Sequence, residues 1–346
     1  MPSITIDFDG VTKLLQGINP FKATGLDLIP MLVLKEAASA IVPYLCFIFQ
    51  QSTDTGSVPA DWKHANIIAV YKRGSRTDAQ SYRPVSLTCV PCKLPEHIIF
   101  RHIMTHLDAH NVLVDHQHGF RSNCSCETQL INTIEHLARS INDRNQTDLL
   151  ILYFSKAFDT VAHKRLLLKL EYCGIRGHHI KWIQSWLLNR TQQVVLEGKY
   201  SDKSNVKSGV PQGTVLGPRR FLLYFNNMGN NISSDLKLFA DDTLLYGLNH
   251  DATDARHLKR DLDSLVTWAE EWQMNFHLSK CYVLRIYRIK NPTMHHYTIP
   301  DQTLKAVDHH PYLGITLSEA LNWKAHVLYV KNKGNRTLSC INRHLH

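Results

Sequence analysis

The chain has 346 residues, of which 44% are hydrophobic, so it can build a sizeable core as one large domain or two packed ones and is not a disordered tail. Its 39 lysines and arginines exceed its 30 aspartates and glutamates, and the formal charge of +9 favours polyanionic partners such as nucleic acid. The most apolar stretch, residues 41–49, is far shorter than the roughly 20 residues of a membrane-spanning helix. Eight scattered cysteines and no leader-like start predict an intracellular protein, nuclear or cytoplasmic, with reduced thiols and no membrane partner.

Up to about residue 141 the pattern is mostly helical. Apolar-rich segments that begin at Pro30 and Pro43 predict a helical cap, because proline suits the first turn of a helix. A short β-branched strand, a basic turn and two segments with helical spacing follow, at residues 66–71, 72–74, 96–107 and 128–141. Pro95 is expected to delay the first of these two helices until after Leu94, because an interior proline costs about 3 kcal/mol or more.

The rest of the chain alternates strands and helices. Residues 149–154 form a continuous apolar run, as expected for a strand buried on both faces. Next come helices at 163–170 and 179–188, a hairpin at 192–207, strands at 236–239 and 243–246, a helix at 258–269, strands at 282–286 and 312–316, and a helix at 323–341. This alternation predicts an α/β or α+β layered architecture.

Three segments carry residues with obvious chemistry. Asp241 and Asp242 place two adjacent carboxylates between two apolar strands, although an Asp-Asp pair is also an ordinary turn sequence. Residues 208–218 form a loop with three glycines and two prolines, which either lets the backbone approach a ligand or serves as a plain connector. Residues 154–161 (FSKAFDTV) stand at the end of the predicted buried strand.

In chain order, the three segments resemble motifs A, B and C of reverse transcriptases, and their sequences are similar to those of jockey-like non-LTR (LINE-type) retrotransposons. Further segments that resemble the family precede motif A, at residues 19–27, 81–87, 117–121 and 125–130. After motif C, residues 272–276 with Lys280 and Cys281 resemble motif D, and residues 312–314 resemble the primer-grip turn. The resemblance covers nearly the whole chain in unbroken order.

The resemblance implies templated addition of dNTPs to a DNA primer on an RNA template, with two Mg²⁺ ions and no small-molecule cofactor. Mg²⁺ is a hard ion that requires oxygen ligands. Asp241 would be a direct metal ligand, and Asp242 would support the same site. Lys280 matches the candidate general acid for pyrophosphate, with a plain surface lysine as the alternative.

Five more residues match substrate contacts of the family. Phe158 matches the bulky residue that disfavours a ribose 2′-hydroxyl, with a core aromatic as the alternative. Gln212 and Gly213 match the contacts to template and incoming base. Lys72 and Arg83 match the cations expected at the triphosphate, since ammonium and guanidinium groups bind phosphate well.

The main departure from the family pattern lies at the start of motif A. The family places an aspartate directly before the FSKAFD string, and here that residue is Tyr153. A phenol with a reference pKa of about 10 is neutral near pH 7 and supplies no carboxylate charge, while Asp159 is too far along the chain to substitute. Arg219 and Arg220, where the family has apolar residues, and Pro95 point the same way. We therefore hypothesise a decayed copy with impaired metal binding.

Two alternatives remain open. One is a catalytically inactive polymerase fold that still binds RNA or an RNA/DNA hybrid. The other is a zinc site, because His116, His118, Cys124 and Cys126 are close in sequence and Cys89 and Cys92 form a C-x-x-C. The Cys-x-Cys spacing is tighter than that of usual structural zinc sites, and the C-x-x-C has no evident second pair.

The predicted fold is α+β: a right-hand polymerase palm, that is, an antiparallel sheet backed by helices, with fingers and a truncated thumb. Residues 1–52 are expected to be a helical N-terminal extension of the fingers, 53–317 the reverse transcriptase fingers and palm, and 318–346 the incomplete start of a thumb. The family's elements usually also encode an endonuclease, which we do not find in this sequence. The chain is therefore expected to be a fragment or a truncated copy.

Overall fold

The computed structural model describes residues 1–72, 74–121 and 123–345, except the side chains of residues 218–221 and 345. Its helices are α1 (Phe8–Gln16), α2 (Met31–Glu36), α3 (Ala38–Thr55), α4 (Val90–Ala109), α5 (Cys126–Asn142), α6 (Ala157–Thr160), α7 (His163–Tyr172), α8 (His178–Leu187), α9 (Leu216–Phe225), α10 (Ala252–Glu271) and α11 (Lys324–Leu345). Its strands are β1 (His64–Tyr71), β2 (Tyr82–Leu87), β3 (Thr147–Tyr153), β4 (Arg190–Leu196), β5 (Lys199–Tyr200), β6 (Ser204–Val206), β7 (Asp235–Phe239), β8 (Asp242–Leu248), β9 (Tyr282–Ile286), β10 (Thr298–Ile299), β11 (Gln302–Thr303), β12 (Lys305–Val307), β13 (His309–Tyr312) and β14 (Ile315–Ser318).

The chain folds into two compact units, and each unit takes two separate stretches of sequence. The first unit contains Met1–Val114 and Lys156–Asn227. The second unit contains Asp115–Ser155 and Met228–His346. The domain limits expected from the sequence, at residues 52 and 317, follow motif content and stay predictions.

The first unit holds a sheet of order β2-β1-β4-β5, with β6 also paired to β4. Strand β1 pairs antiparallel with β2 and parallel with β4, and its alternating apolar residues suit a half-buried strand. The core beside it contains Trp182 and Trp186 of α8, each 1% exposed. The Trp182 indole donates to Oγ of Ser52 at 2.9 Å, so this buried polar group is satisfied and fixes α8 against α3.

The second unit holds a sheet of order β12-β9-β3-β8-β7, in which β3 is central. Six of the seven β3 residues are buried, which confirms the predicted strand with two covered faces. One face packs on Leu137 and Ile141 of α5 and on Tyr312 and Leu317 of the β13–β14 hairpin. Helix α5 begins with a capping box of Ser125 and Thr128, which satisfies backbone N–H groups of its first turn. The mixture of antiparallel-rich sheets and helices confirms the α+β prediction.

Three local predictions were wrong. Pro43 lies inside α3, which already begins at Ala38, and Pro95 lies inside α4, which begins at Val90. Buried residues on both sides of Pro95, including Leu94 and Ile99, offset the missing backbone hydrogen bond by packing.

The third wrong prediction concerns residues 312–316, which are two strand ends joined by a turn and not one strand. Strand β13 ends at Tyr312, the turn places Leu313 and Gly314 at φ of 45° and 93°, and β14 begins at Ile315. Two consecutive left-handed residues cannot continue a strand. Within the described chain, every helix is too short or too polar to cross a membrane.

Candidate active site

The two predicted metal ligands lie on a tight hairpin in the second unit. Phe239 pairs with Asp242, so Ala240 and Asp241 form a two-residue turn between β7 and β8. Ala240 takes the left-handed φ of 56°, as the first central residue of such turns requires for the two strands to keep their twist. Asp241 therefore lies at the hairpin tip, and Asp242 is the first residue of β8.

Tyr153 lies directly beside this hairpin. In the antiparallel pair of β3 and β8, the cross-strand partner of Tyr153 is Asp242. Directly opposed residues of an antiparallel pair point to the same face of the sheet. Strand β3, which ends the predicted apolar run at motif A, therefore lies beside the hairpin of motif C, and the side chain at position 153 shares a face with the Asp242 carboxylate.

The surroundings of Tyr153 keep its phenol neutral. Burial, together with the negative charge of Asp242, raises the pKa of Tyr153 above its ordinary value. Its hydroxyl lies 3.3 Å from Nε2 of His310, within hydrogen-bond range. A protonated phenol that is engaged with an imidazole brings neither charge nor a bridging carboxylate to the neighbouring aspartates.

The donor set at this hairpin does not fit two Mg²⁺ ions. A pair of such ions is held by several oxygen ligands, whereas the hairpin itself offers two adjacent carboxylates and its cross-strand neighbour is a neutral phenol. Across residues 1–72, 74–121 and 123–345, no three His, Cys, Asp or Glu side chains are grouped as they would be around a metal ion. The same observation leaves the zinc alternative at His116, His118, Cys124 and Cys126 without support.

Lys280 follows a segment whose backbone is hydrogen-bonded to the end of β3. The segment before it pairs with that strand end, because Ser155 N donates to Asn275 O at 2.7 Å and His277 N donates to Tyr153 O at 2.7 Å. Lys280 is half-buried and ends a short 3₁₀ turn. The next residue, Cys281, accepts a hydrogen bond from Tyr153 N at 3.4 Å. The backbone that carries the predicted general acid is thereby tied to position 153.

The two predicted triphosphate cations lie together in the first unit. Arg83 on β2 pairs with Val70 on β1, and Lys72 follows the end of β1, where its N–H donates to Ser81 O at 2.8 Å. Since side chains two residues apart on a strand share a face, Lys72 and Arg83 emerge on the same side of this hairpin. Both are exposed, as groups that bind a phosphate from solution must be.

The loop that contains Gln212 and Gly213 is docked onto the same strand. Ser86 N, on β2, donates to Gln212 O at 2.7 Å. Gly213 has a φ of 97°, and a Cβ at this position would lie 2.9 Å from Ser86 O, so both the backbone conformation and the space require glycine. Arg83, Gln212 and Gly213 are thus brought together around one strand.

Phe158 joins this group through the start of the same loop. Val210 N donates to Phe158 O at 2.8 Å, and Gly209 N donates to Val161 O at 2.9 Å. The Gln212 amide donates to Oδ1 of Asp159 at 3.3 Å, while burial raises the pKa of that carboxyl. All five predicted substrate-binding residues belong to the first unit, and Tyr153, Asp241, Asp242 and Lys280 belong to the second.

Sequence reasoning missed a buried acid that organises the same loop. Glu96 on α4 is fully buried, and its Oε2 accepts from Val215 N at 2.9 Å and Leu216 N at 3.2 Å, at the start of α9. Its Oε1 accepts from the Trp186 indole at 2.9 Å. The available signal was an acid on the apolar stripe of α4, between Cys92 and Ile99. An acid on a buried stripe requires polar partners inside the protein.

The sheet with its aspartate hairpin belongs to a fold that is also found in a polymerase of known structure. A solved structure of apo telomerase from Candida tropicalis, truncated from its C-terminal domain, matches 87% of this chain and 62% of that chain with a TM-score of 0.52 at 10% identity, a similarity of fold. Residues 70–317 match the family described as reverse transcriptase (RNA-dependent DNA polymerase). The chain belongs to this reverse transcriptase family.

Its relatives by sequence are polymerases of mobile elements. The chain is 28% identical to the RNA-directed DNA polymerase from mobile element jockey of Drosophila melanogaster, over 96% of this chain and 37% of that protein. It is 26% identical to the corresponding jockey protein of Drosophila funebris, over 99% of this chain and 38% of that protein. The resemblance to jockey-like non-LTR elements is confirmed, and the chain spans well under half the length of these relatives.

Proposed function

We propose that this chain is the RNA-directed DNA polymerase region of a non-LTR retrotransposon in which nucleotide addition is impaired by Tyr153. The observation that carries the proposal is the pairing of Tyr153 with Asp242 in neighbouring strands. Position 153 shares a face of the sheet with Asp242, and the family resemblance expects a third carboxylate there. A neutral tyrosine there weakens the site in charge and in ligand number.

The chemistry that the family resemblance implies is transfer of a nucleotide from a dNTP to the 3′-hydroxyl of a DNA primer on an RNA template. Mg²⁺ ions, when bound, would stabilise negative charge on the reacting phosphate. Asp241 and Asp242 are the residues of this chain suited to hold such an ion. Lys280, which matches the family's candidate general acid, would give a proton to the leaving pyrophosphate.

The first unit supplies the groups for binding the substrates. Lys72 and Arg83 would bind the triphosphate, since both are exposed on one side of the β1–β2 hairpin. Gln212 and Gly213 would contact template and incoming base, and Phe158 would exclude a ribose 2′-hydroxyl. The formal charge of +9 supports binding of an RNA template and a DNA primer through their phosphates.

A specific observation also favours a silent nucleic-acid-binding fold. Position 153 lies in the second unit, whereas the five residues that the family resemblance assigns to substrate binding lie in the first. Binding of primer and template can therefore persist after loss of turnover.

One experiment separates these outcomes. The unaltered chain is titrated against an RNA/DNA primer–template at several salt concentrations, and primer extension is then measured with Mg²⁺ and dNTPs. We expect salt-dependent binding with little or no extension, because phosphate contacts displace counterions. Robust extension would contradict the impaired site, and absence of binding would contradict the polymerase assignment for this chain.

A further inference from the structure

The hairpin turn before Asp241 is held by a segment that the reaction chemistry does not involve. Residues 116–118 run alongside β7, where Gln117 forms a parallel bridge with Leu238. His118 N donates to Leu238 O at 2.9 Å, and Leu238 N donates to His116 O at 2.8 Å. These two backbone bonds place the Gln117 side chain, which is 3% exposed, beneath the turn.

The Gln117 amide binds both backbone groups of the turn residue Ala240. Its Oε1 accepts from Ala240 N at 3.1 Å and from Gly119 N at 2.8 Å. Its Nε2 is 3.4 Å from Ala240 O, at the long end of hydrogen-bond range. Ala240 has the left-handed φ of 56°, a conformation that a residue with a Cβ adopts at a cost and keeps only when its surroundings impose it.

Gly119 lets this segment approach the turn closely enough for these bonds. A Cβ at position 119 would lie 2.3 Å from Ala240 N and 3.0 Å from the Phe239 carbonyl carbon. No side chain fits in that space, so any residue other than glycine must push the turn and the segment apart. The close packing and the hydrogen bonds act on the same residue, Ala240, which is joined directly to Asp241.

We propose that Gln117 and Gly119 form a clamp that fixes the turn and thereby sets the position of Asp241. Gln117 is in this sense a positioning residue: its bonds reach the backbone of Ala240, and the carboxylate next along the chain does the chemistry. The inference rests on the proposed function for its catalytic consequence, and on geometry alone for the restraint of the turn.

Hydrogen exchange of the otherwise unaltered chain tests the restraint. Gln117→Met keeps side-chain length and burial but removes both kinds of hydrogen bond, so we expect amide exchange at residues 239–243 to accelerate about tenfold or more. Gly119→Ala should accelerate the same residues by displacing the turn. Exchange at residues 147–152, in the centre of the sheet, should remain as in the unaltered chain.

Gln146→Met is the matched control. Gln146 is 1% exposed, and its side-chain amide binds both backbone groups of Thr293, as the Gln117 amide binds those of Ala240. Thr293 N donates to Oε1 of Gln146, and Nε2 of Gln146 donates to Thr293 O, both at 2.8 Å. This variant should loosen residues near 293 and leave the turn unchanged. Unchanged exchange at residues 239–243 in both Gln117→Met and Gly119→Ala would overturn the clamp.

A kinetic arm uses Tyr153→Asp as the background. Gln117→Met should there lower kcat about tenfold or more while the Kd for primer–template stays within about twofold, and Gln146→Met should change neither. An unchanged kcat would overturn the positioning role. If Tyr153→Asp is itself inactive, the proposed function fails, whereas the exchange measurement still decides whether the clamp exists.

Discussion

The Tyr153 hydroxyl lies 3.3 Å from Nε2 of His310, and the centroids of the two rings are 6.0 Å apart. Position 153 is thus packed against β13 as well as paired with Asp242 on β8. The tyrosine therefore has a hydrogen-bonding partner of its own within the second unit.

His310 gives this region a pH dependence. Burial lowers the pKa of His310 to about 4, below its ordinary value of 6.5. Between these two values the unfolded chain binds more protons than the folded chain, so stability falls as the pH falls from about 6.5 to about 4. Urea unfolding should show a loss of roughly 1–3 kcal/mol over that range.

His310→Gln should reduce that pH slope, because it removes one of the histidines whose pKa is lowered in the folded chain. His257→Gln, an exposed position on α10, serves as the control and should keep the slope. A slope that is equal in His310→Gln and in the unaltered chain would contradict the assignment.

Glu96 is expected to be essential for the stability of the first unit. Glu96→Ala removes the buried carboxylate that accepts from the Trp186 indole, Val215 N and Leu216 N. We expect a loss of about 3 kcal/mol or more in the free energy of unfolding. Glu135→Ala, which breaks only a surface pair with Arg139, should change it by about 0.5 kcal/mol or less. Similar losses for the two variants would refute this reading of Glu96.

Alanine substitutions at Gly209 and Gly314 distinguish the cost of backbone strain from the cost of steric crowding. Both have a left-handed φ, of 83° and 93°, but a Cβ at Gly209 would lie 2.7 Å from Asp159 Cα, whereas nothing lies within 4 Å at Gly314. Both alanine variants carry the strain of the left-handed backbone, about 1 kcal/mol. Gly209→Ala should be destabilised by at least about 1 kcal/mol more, because the backbones at 159 and 209 must separate. Equal thermal and urea stabilities would show that this contact adds nothing.

The sequence was sufficient where a pattern is local. The continuous apolar run predicted β3, because a strand that is buried on both faces consists mostly of apolar residues. The apolar stripe predicted α5, because a helix that is buried on one side repeats its apolar residues with the helical period. The resemblance to motifs A and C also assigned Tyr153 to the same site as Asp241 and Asp242, and the two motifs are neighbours in the sheet.

What depends on distant residues was not predictable. His310 is 157 residues from Tyr153, and the Glu96 carboxylate binds backbone 119 residues away at Val215. The helix through Pro95 likewise follows from tertiary packing, which outweighs the local preference of proline. Arg219 and Arg220, singled out as departures, have side chains outside the described part of the structure.

We propose that the polymerase site lacks its third carboxylate because residue 153 is a tyrosine. The direct test is primer extension on an RNA template with Mg²⁺ and dNTPs, comparing the unaltered chain with Tyr153→Asp and with Tyr153→Asn, which is similar in size to aspartate but uncharged. We predict a gain of at least about a hundredfold for Tyr153→Asp only, because the carboxylate charge is what the site lacks. The gain should disappear when Asp241→Asn is added. Equal rates for Tyr153→Asp and Tyr153→Asn, or activity that survives Asp241→Asn, would contradict the account.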